Sequence, residues 1–186
     1  MTDFRQRLEE EIPRLRRYAR ALTTDASRAD DLVHDTLVRA LAKQHLWQAG
    51  TDLRAWLFTL MHNQNVNHIR RAIREGTSVD IEQVTSLTAN SDPASSRMLF
   101  ELRRALTQLP EGQRQLVLLV GLEGLSYEQA AEVFKIPVGT VRSRLSRGRE
   151  ALRELMAMNE AVKAPAGERA TPRRDQVRAE RPAAQA

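Results

Sequence analysis

The chain predicts an all-α fold made of two small helical bundles joined by a flexible linker, the second containing a helix-turn-helix. Three observations carry that reading. Apolar residues recur at three- and four-residue steps, strand-like alternation of β-branched residues is hard to find, and the few Gly and Pro cluster at boundaries between periodic segments. The spacing divides the chain into a first unit over 1–75, a linker over 76–95, a second unit over 96–158 and a tail over 159–186.

Pro13 suits the first turn of a helix carrying Leu15, Tyr18, Ala19 and Leu22. Asp25 can cap a second helix that runs to about Gln44. Thr51 or Asp52 can cap a third, in which Leu53, Trp56, Leu57, Leu60 and Met61 fall at helical spacing. Together these make the first bundle. The text then changes to GTSVDIEQVTSLTANSDPAS, which is rich in Ser, Thr and Asp and has no apolar stripe, as a linker does. Helical spacing resumes with Met98, Leu99, Leu102, Leu106 and Leu109, and Pro110 opens a further helix through Leu122. Beyond Asn159 the Ala/Pro/Arg/Glu mixture has too few large apolar residues to pack, so the tail is expected to be disordered.

The most informative stretch is LSYEQAAEVFKIPVGTVRSRLSRGREALREL, from Leu125 to Leu155. Ser126 and Gln129 stand at capping-box spacing and start a helix whose buried side is Ala130, Ala131, Val133, Phe134 and Ile136. Pro137 and Gly139 punctuate a turn, and Thr140 can cap a second helix from about Val141. On that helix Val141, Leu145, Gly148 and Leu152 share one side, and Arg142, Ser143, Ser146, Arg147 and Glu150 another. The second helix of a helix-turn-helix enters the major groove, where arginine bonds guanine edges bidentately and serine bonds base or phosphate. Arg142 and Arg147 are therefore the expected base readers. An Arg-rich helix alone would read as a solvated surface; the capped first helix and the turn favour DNA.

Composition bounds the rest. The chain has 186 residues, 29 Lys and Arg against 24 Asp and Glu, and a formal net charge of +5, which suits a polyanionic partner. Cysteine is absent, which removes disulfides, thiol catalysis and Cys-based zinc sites together. No metal or cofactor is expected. No apolar run is long enough to span a bilayer, and MTDFRQRLEEEIPRLRR lacks the apolar core of a signal peptide, so a cytoplasmic protein without membrane insertion is expected.

Two segments of the first bundle carry further chemistry. RADDLVHDTLVRAL places Asp31, Asp35 and Arg39 at four-residue steps with Leu32, Leu37 and Leu41 available for the core, an acidic ridge that alone would read as a solvated face. DLRAWLFTLMHNQNVNHIRRAIR carries His62, Asn63, Asn67, His68, Arg70, Arg71 and Arg74 on its later turns. Amides and arginines reach base edges and phosphates, although the macrodipole also favours a basic helix end.

With these motifs in hand, ADDLVHDTLVRAL, WLFTLMHNQNVNHIRR and LPEGQRQLVLLVGLEGLSYEQAAEVFKIPVGTVRSRLSRGREAL, in that order around a variable linker, the chain resembles an extracytoplasmic-function (ECF) sigma factor of the sigma-70 family. The resemblance covers roughly Leu8 to Leu155. GTDLRAWLF and VGTVRSR are also similar to the alphaproteobacterial general-stress-response group. It implies a promoter-specificity subunit that binds core RNA polymerase and promoter DNA, nucleates melting without catalysing a reaction, and is silenced by an anti-sigma factor. It implies that Asp30, Asp31, Leu32, Asp35 and Arg39 dock on the polymerase clamp and that Asn63, Asn67, His68, Arg70 and Arg71 approach the -10 element. It assigns the loop from Gln44 to Asp52 to capture of a flipped base, whose extrusion costs a few kcal/mol. Trp47 there could stack on that base or anchor the loop to the core. Thr140, Arg142, Ser143, Ser146 and Arg147 would read the -35 element. The linker's Asp80, Glu82 and Asp92 could mimic nucleic-acid charge or lie on an inert tether, and the tail's Arg173, Arg174, Arg178 and Arg181 could add nonspecific phosphate contacts.

Two other function classes compete. A stand-alone helix-turn-helix regulator would need a ligand or dimer module, and the first bundle shows neither a pocket pattern nor a heptad seam. A nucleic-acid enzyme is disfavoured because Asp30, Asp31 and Asp35 sit in one motif without a Gly-rich phosphate loop, and the four histidines lack HExxH spacing.

Overall fold

A computed structural model describes residues 2–23, 25–75 and 93–163. The proposed linker charges Asp80, Glu82 and Asp92 and the tail arginines Arg173, Arg174, Arg178 and Arg181 lie outside the described residues. Within them the chain is helical, with no strand among the described residues. The helices are α1 (Thr2–Leu22), α2 (Ala26–Ala42), α3 (Leu53–Arg74), α4 (Pro93–Gln108), α5 (Glu111–Gly121), α6 (Tyr127–Phe134) and α7 (Val138–Lys163). A 3-10 turn, Gln44–Leu46, follows α2.

Helix α1 starts well before Pro13, which lies exposed in its middle rather than in its first turn. Proline lacks the N–H that Glu9 would accept, so the long helix tolerates one missing bond on its solvent side. Asp25 caps α2 by accepting from the N–H groups of Ser27 and Arg28, at 2.7 and 3.4 Å. Of the two candidates for α3, Asp52 is the cap, accepting from Ala55 N–H at 3.2 Å. Helix α4 begins at Pro93, inside the expected linker, and α7 continues to Lys163, into the expected tail.

Leu15, Leu32, Leu57, Phe58 and Met61 form the heart of the first bundle, and Tyr18 meets Phe58 edge-on with ring centroids 5.1 Å apart. Leu106, Leu116, Leu119, Val133, Val141 and Leu145 do the same in the second. These two sets belong to one continuous hydrophobic cluster. The bundles therefore pack on each other, α3 against α6 and α1 against α5, rather than hanging at the ends of a tether.

Candidate nucleic-acid interface and the seam beside it

The helix-turn-helix is built by local chemistry. Ser126 Oγ accepts from Gln129 N–H at 3.1 Å while Gln129 Oε1 accepts from Ser126 N–H at 2.7 Å, so both orphan donors of the capping box are satisfied. Helix α6 ends at Lys135, the one described non-glycine residue with positive φ, at 52°. Its N–H donates to Glu132 and the next, Ile136 N–H, donates to Ala131, which closes the helix in a Schellman arrangement. Helix α7 then starts at Val138, three residues earlier than expected, with Thr140 N–H and Val141 N–H both donating to Pro137 C=O. Thr140 is thus a half-buried first-turn residue and not the cap, because Pro137 already supplies the acceptor that opens the helix.

On α7, Val141, Leu145 and Gly148 are buried and Arg142, Ser146 and Arg147 are exposed, the division the periodicity predicts. Ser143 is half-buried and its hydroxyl donates to Thr140 C=O at 3.1 Å, so it is committed to its own helix. Glu128, at the start of α6, has its carboxyl held below the usual range by hydrogen bonds from its own backbone and Ser126, with Arg142 adding charge attraction. That places Arg142 beside the mouth of the helix-turn-helix.

In the first bundle Asn63, Asn67, Arg70 and Arg71 are exposed on α3, and Arg71 Nε donates to Glu75 at 2.7 Å. Asp30, Asp31 and Arg39 are exposed on α2, whereas Leu32 is 1% exposed and belongs to the core. Leu41, expected inward, is 42% exposed, as are Val38 and Leu46 to a greater degree. The acidic ridge and the α3 face are contiguous: Asp35 Oδ2 lies 3.1 Å from His68 Nε2, and Arg39 donates to Gln64 at 2.8 Å. Trp47 takes the anchoring role. Its ring is half-buried, 5.5 Å from that of Phe4, with the Arg7 guanidinium 5.0 Å from its centroid.

The seam between the bundles contains residues that spacing did not single out for contact. Asn65, buried on α3, donates to Glu111 Oε1 at 3.0 Å, and the same oxygen accepts from Gln115 at 2.5 Å while Arg114 pairs with the other. His62 Nδ1 is 2.8 Å from Gln115 Oε1 and its ring is 4.5 Å from that of Phe134. Burial holds the His62 pKa below its ordinary value, against the opposing pull of Gln115 and Glu111. Arg17 donates to both oxygens of Glu123, at 3.0 and 2.8 Å, and the Glu123 side chain has no exposure. Asp52, the cap of α3, also accepts from the capping-box amide of Gln129. Some signal for these existed: Asn65 stands four residues after Met61 and eight after Leu57 on the buried stripe, and Glu123 is a single acid in the apolar run VLLVGLEGL.

Fold and site define a class: a two-bundle helical protein that presents an arginine-bearing helix-turn-helix beside an acidic ridge and a basic, amide-rich helix. Residues 8–62 match the family described as the Sigma2 domain of PhyR, and residues 99–152 match Sigma-70, region 4. The chain is 39% identical over 150 residues to the ECF RNA polymerase sigma factor EcfG of Rhodopseudomonas palustris, spanning 81% of this chain and 83% of that one. It is 32% identical to the ECF RNA polymerase sigma factor SigE of Mycolicibacterium smegmatis, over 84% of this chain and 63% of that one. Its structure is similar, with a TM-score of 0.73 and 36% identity over 86% of this chain and 99% of the other, to the sigma factor RpoE of Bartonella quintana, solved in complex with the anti-sigma factor NepR. The chain belongs to the ECF sigma factors, on the branch shared with the alphaproteobacterial general stress response. That membership decides against a stand-alone regulator, and the family is not a class of catalysts. Among the described residues no helix is long and apolar enough to cross a membrane.

Proposed function

We propose that this chain directs core RNA polymerase to specific promoters and nucleates their melting, acting in the cytoplasm and catalysing no reaction itself. The observation that carries the reading is the division of α7, in which one face is locked into the bundle by Val141, Leu145 and Gly148 and the other offers Arg142, Ser146 and Arg147 to a groove. In this reading residues 1–75 form the unit that meets polymerase and the -10 element, and residues 96–158 the unit that meets the -35 element. Residues 76–95 tether them and residues 159–186 are a tail.

Arg142 and Arg147 read bases, Ser146 and Thr140 bond base or phosphate, and Ser143 supports the helix. Asn63, Asn67, His68, Arg70 and Arg71 approach the -10 element. Asp30, Asp31, Asp35 and Arg39 meet the polymerase clamp, with Leu32 holding the helix beneath them. The relative from Bartonella supports an anti-sigma factor as a third partner. Run-off transcription with purified core polymerase on a promoter library tests the reading: new, core-dependent start sites are expected, and their absence at saturating protein overturns it.

A further inference from the structure

The loop between α2 and α3 is built to hold its shape. Leu46 N–H donates to Lys43 C=O at 2.9 Å and Trp47 N–H to Gln44 C=O at 3.2 Å, which winds the 3-10 turn. Thr51 N–H and Thr51 Oγ both donate to Gln48 C=O, at 3.1 and 2.7 Å, and close a tight turn in which Gly50 takes a φ of 96°. Asp52 then caps α3. Backbone bonds thus fix both ends of the loop, yet the side chains of Gln44, His45 and Gln48 are exposed and make no hydrogen bond among the described residues. Amides and an imidazole offer paired donors and acceptors, which is what the Watson–Crick edge of an unpaired base requires.

Trp47 anchors the middle of this loop to the first bundle. It does so without a hydrogen bond: its indole N–H is buried with no acceptor among the described residues, so ring contacts hold it. Those contacts come from the first two turns of α1. Phe4, 9% exposed, sets its ring 5.5 Å from Trp47 and 6.3 Å, edge-on, from Trp56 of α3. The half-buried Arg7 places its guanidinium 5.0 Å from the Trp47 centroid. A loop pinned in this way needs little further ordering when it receives a ligand, which is the gain from preorganisation. Phe4 and Arg7 stand before residue 8, where the match to the Sigma2 domain begins, so the family match leaves them without a role.

We infer that Phe4 and Arg7 are positioning residues for promoter melting: they clasp Trp47 so that Gln44, His45 and Gln48 are held ready for an unpaired base of the -10 strand. The inference rests on the proposed function, which gives residues 1–75 the -10 element, although the clasp itself is a property of the chain alone. Both residues act through Trp47 rather than on the base. Because the guanidinium–indole contact is partly exposed, its loss weakens capture by about 2- to 5-fold rather than abolishing it.

Holoenzyme made from the full chain and core polymerase, bound to promoters with a pre-melted -10 element, tests the inference. A series of single abasic sites along the non-template strand locates the captured base in the parent, as the position of largest affinity loss. Arg7→Ala should shrink that loss by about 2- to 5-fold and leave affinity for core polymerase and for -35 duplex unchanged. Arg7→Lys, which keeps a cation over the ring, should lie between. Arg5→Ala, which removes a charge from an exposed position of the same helix, should keep the parent's loss. Trp47 itself is followed in the free chain. With fluorotryptophan in place of the two tryptophans, the signal that disappears in Trp47→Phe reports its ring, and a soluble paramagnetic reagent should broaden it more in Arg7→Ala and Phe4→Leu than in the parent. Equal broadening in the parent and in both variants, with helicity retained, overturns the clasp. More broadening with the abasic loss undiminished overturns its role in capture, as does a parent that transcribes from duplex promoters but shows no position-specific loss. If the parent starts no transcription even at saturating core polymerase, the proposed function fails instead, and the broadening still decides whether the clasp exists.

Discussion

His68 Nε2 and Asp35 Oδ2 meet at 3.1 Å, joining the helix assigned to the -10 element to the ridge assigned to polymerase. Both side chains remain about four-tenths exposed, so the contact is a surface pairing of modest strength. Its consequence is that Asp35 cannot be altered without touching α3, whereas on the same ridge Asp31 is exposed and Asp30 makes a surface pair with Arg20 of α1, at 3.7 Å.

Reversing Asp30 and Asp31 to arginine should therefore separate the two activities. Like charges facing a basic clamp are expected to lower affinity for core polymerase by about tenfold or more, while helicity and binding of -35 duplex stay at parent level. Co-purification with core and a duplex titration read the two quantities. A double variant that binds core as the parent does would leave the ridge a solvated face.

Arginine chemistry on α7 makes the second test. Arg142→Ala and Arg147→Ala should each cost about 1–3 kcal/mol and flatten preference at one or two positions of the -35 element. Arg149, also exposed but two turns beyond Arg142 along the same stripe, serves as a comparison that should lower affinity evenly across sequences. Site selection from a randomised duplex pool decides it, and an unaltered preference in both variants would refute the assignment.

Gly148 marks where α7 crosses α5. A Cβ there would lie 3.0 Å from Val117 Cγ2 and 3.3 Å from Gln113 Cβ. Alanine gains helix propensity of about 1 kcal/mol that offsets this crowding, so Gly148→Ala should be near neutral. Gly148→Leu has no room and should destabilise the second bundle by about 1–3 kcal/mol, read as a lower denaturation midpoint at unchanged m-value. A leucine variant as stable as the parent would mean the helices cross less closely than described.

Acidification should loosen the seam through His62. Facing it are Glu111 and Gln115 from α5 and Phe134 from α6, and Arg70 and Arg144 line the same cavity of about 330 Å³. Burial favours the neutral ring, so its pKa in the folded chain lies below the ordinary 6.5 that it has when unfolded. The unfolded chain then binds more protons. Stability from this group is complete above about pH 6.5 and is lost as pH falls through the lowered value. The denaturation midpoint should fall as pH drops from 7.5 towards 5.5, and His62→Phe should blunt the change. An equal response in that variant would assign the pH dependence to other groups.

Local and periodic features were legible before any tertiary contact was known. The Ser126–Gln129 capping box, the Asp25 cap and the buried and exposed faces of α7 depend on spacings of two to eight residues, and the structure contains all of them. Misreadings at this level had local causes too. The ring of Pro13 suits a first turn, but the exposed mid-helix position it occupies loses only one hydrogen bond. Thr140 reads as a cap if the turn extends to Gly139, whereas Lys135 in the left-handed region ends α6 and lets α7 begin at Val138.

Only the tertiary structure decided which polar residues face solvent and which face the other bundle. Nothing in the spacing of Arg17 distinguishes it from Arg14, Arg16 or Arg20 on the same helix, yet it alone among these meets Glu123. Asn65 differs from Asn63 and Asn67 in falling on the buried stripe, but only the fold shows that Glu111 of α5 is its partner. A linker-joined sequence describes two bundles equally well whether they are apart or together, because each has its own apolar face. Their union depends on shape and charge matching between surfaces more than forty residues apart in the chain. Sequence thus determined the helix-turn-helix and the apolar faces of this sigma factor's two bundles, and the fold decided that those bundles pack on each other.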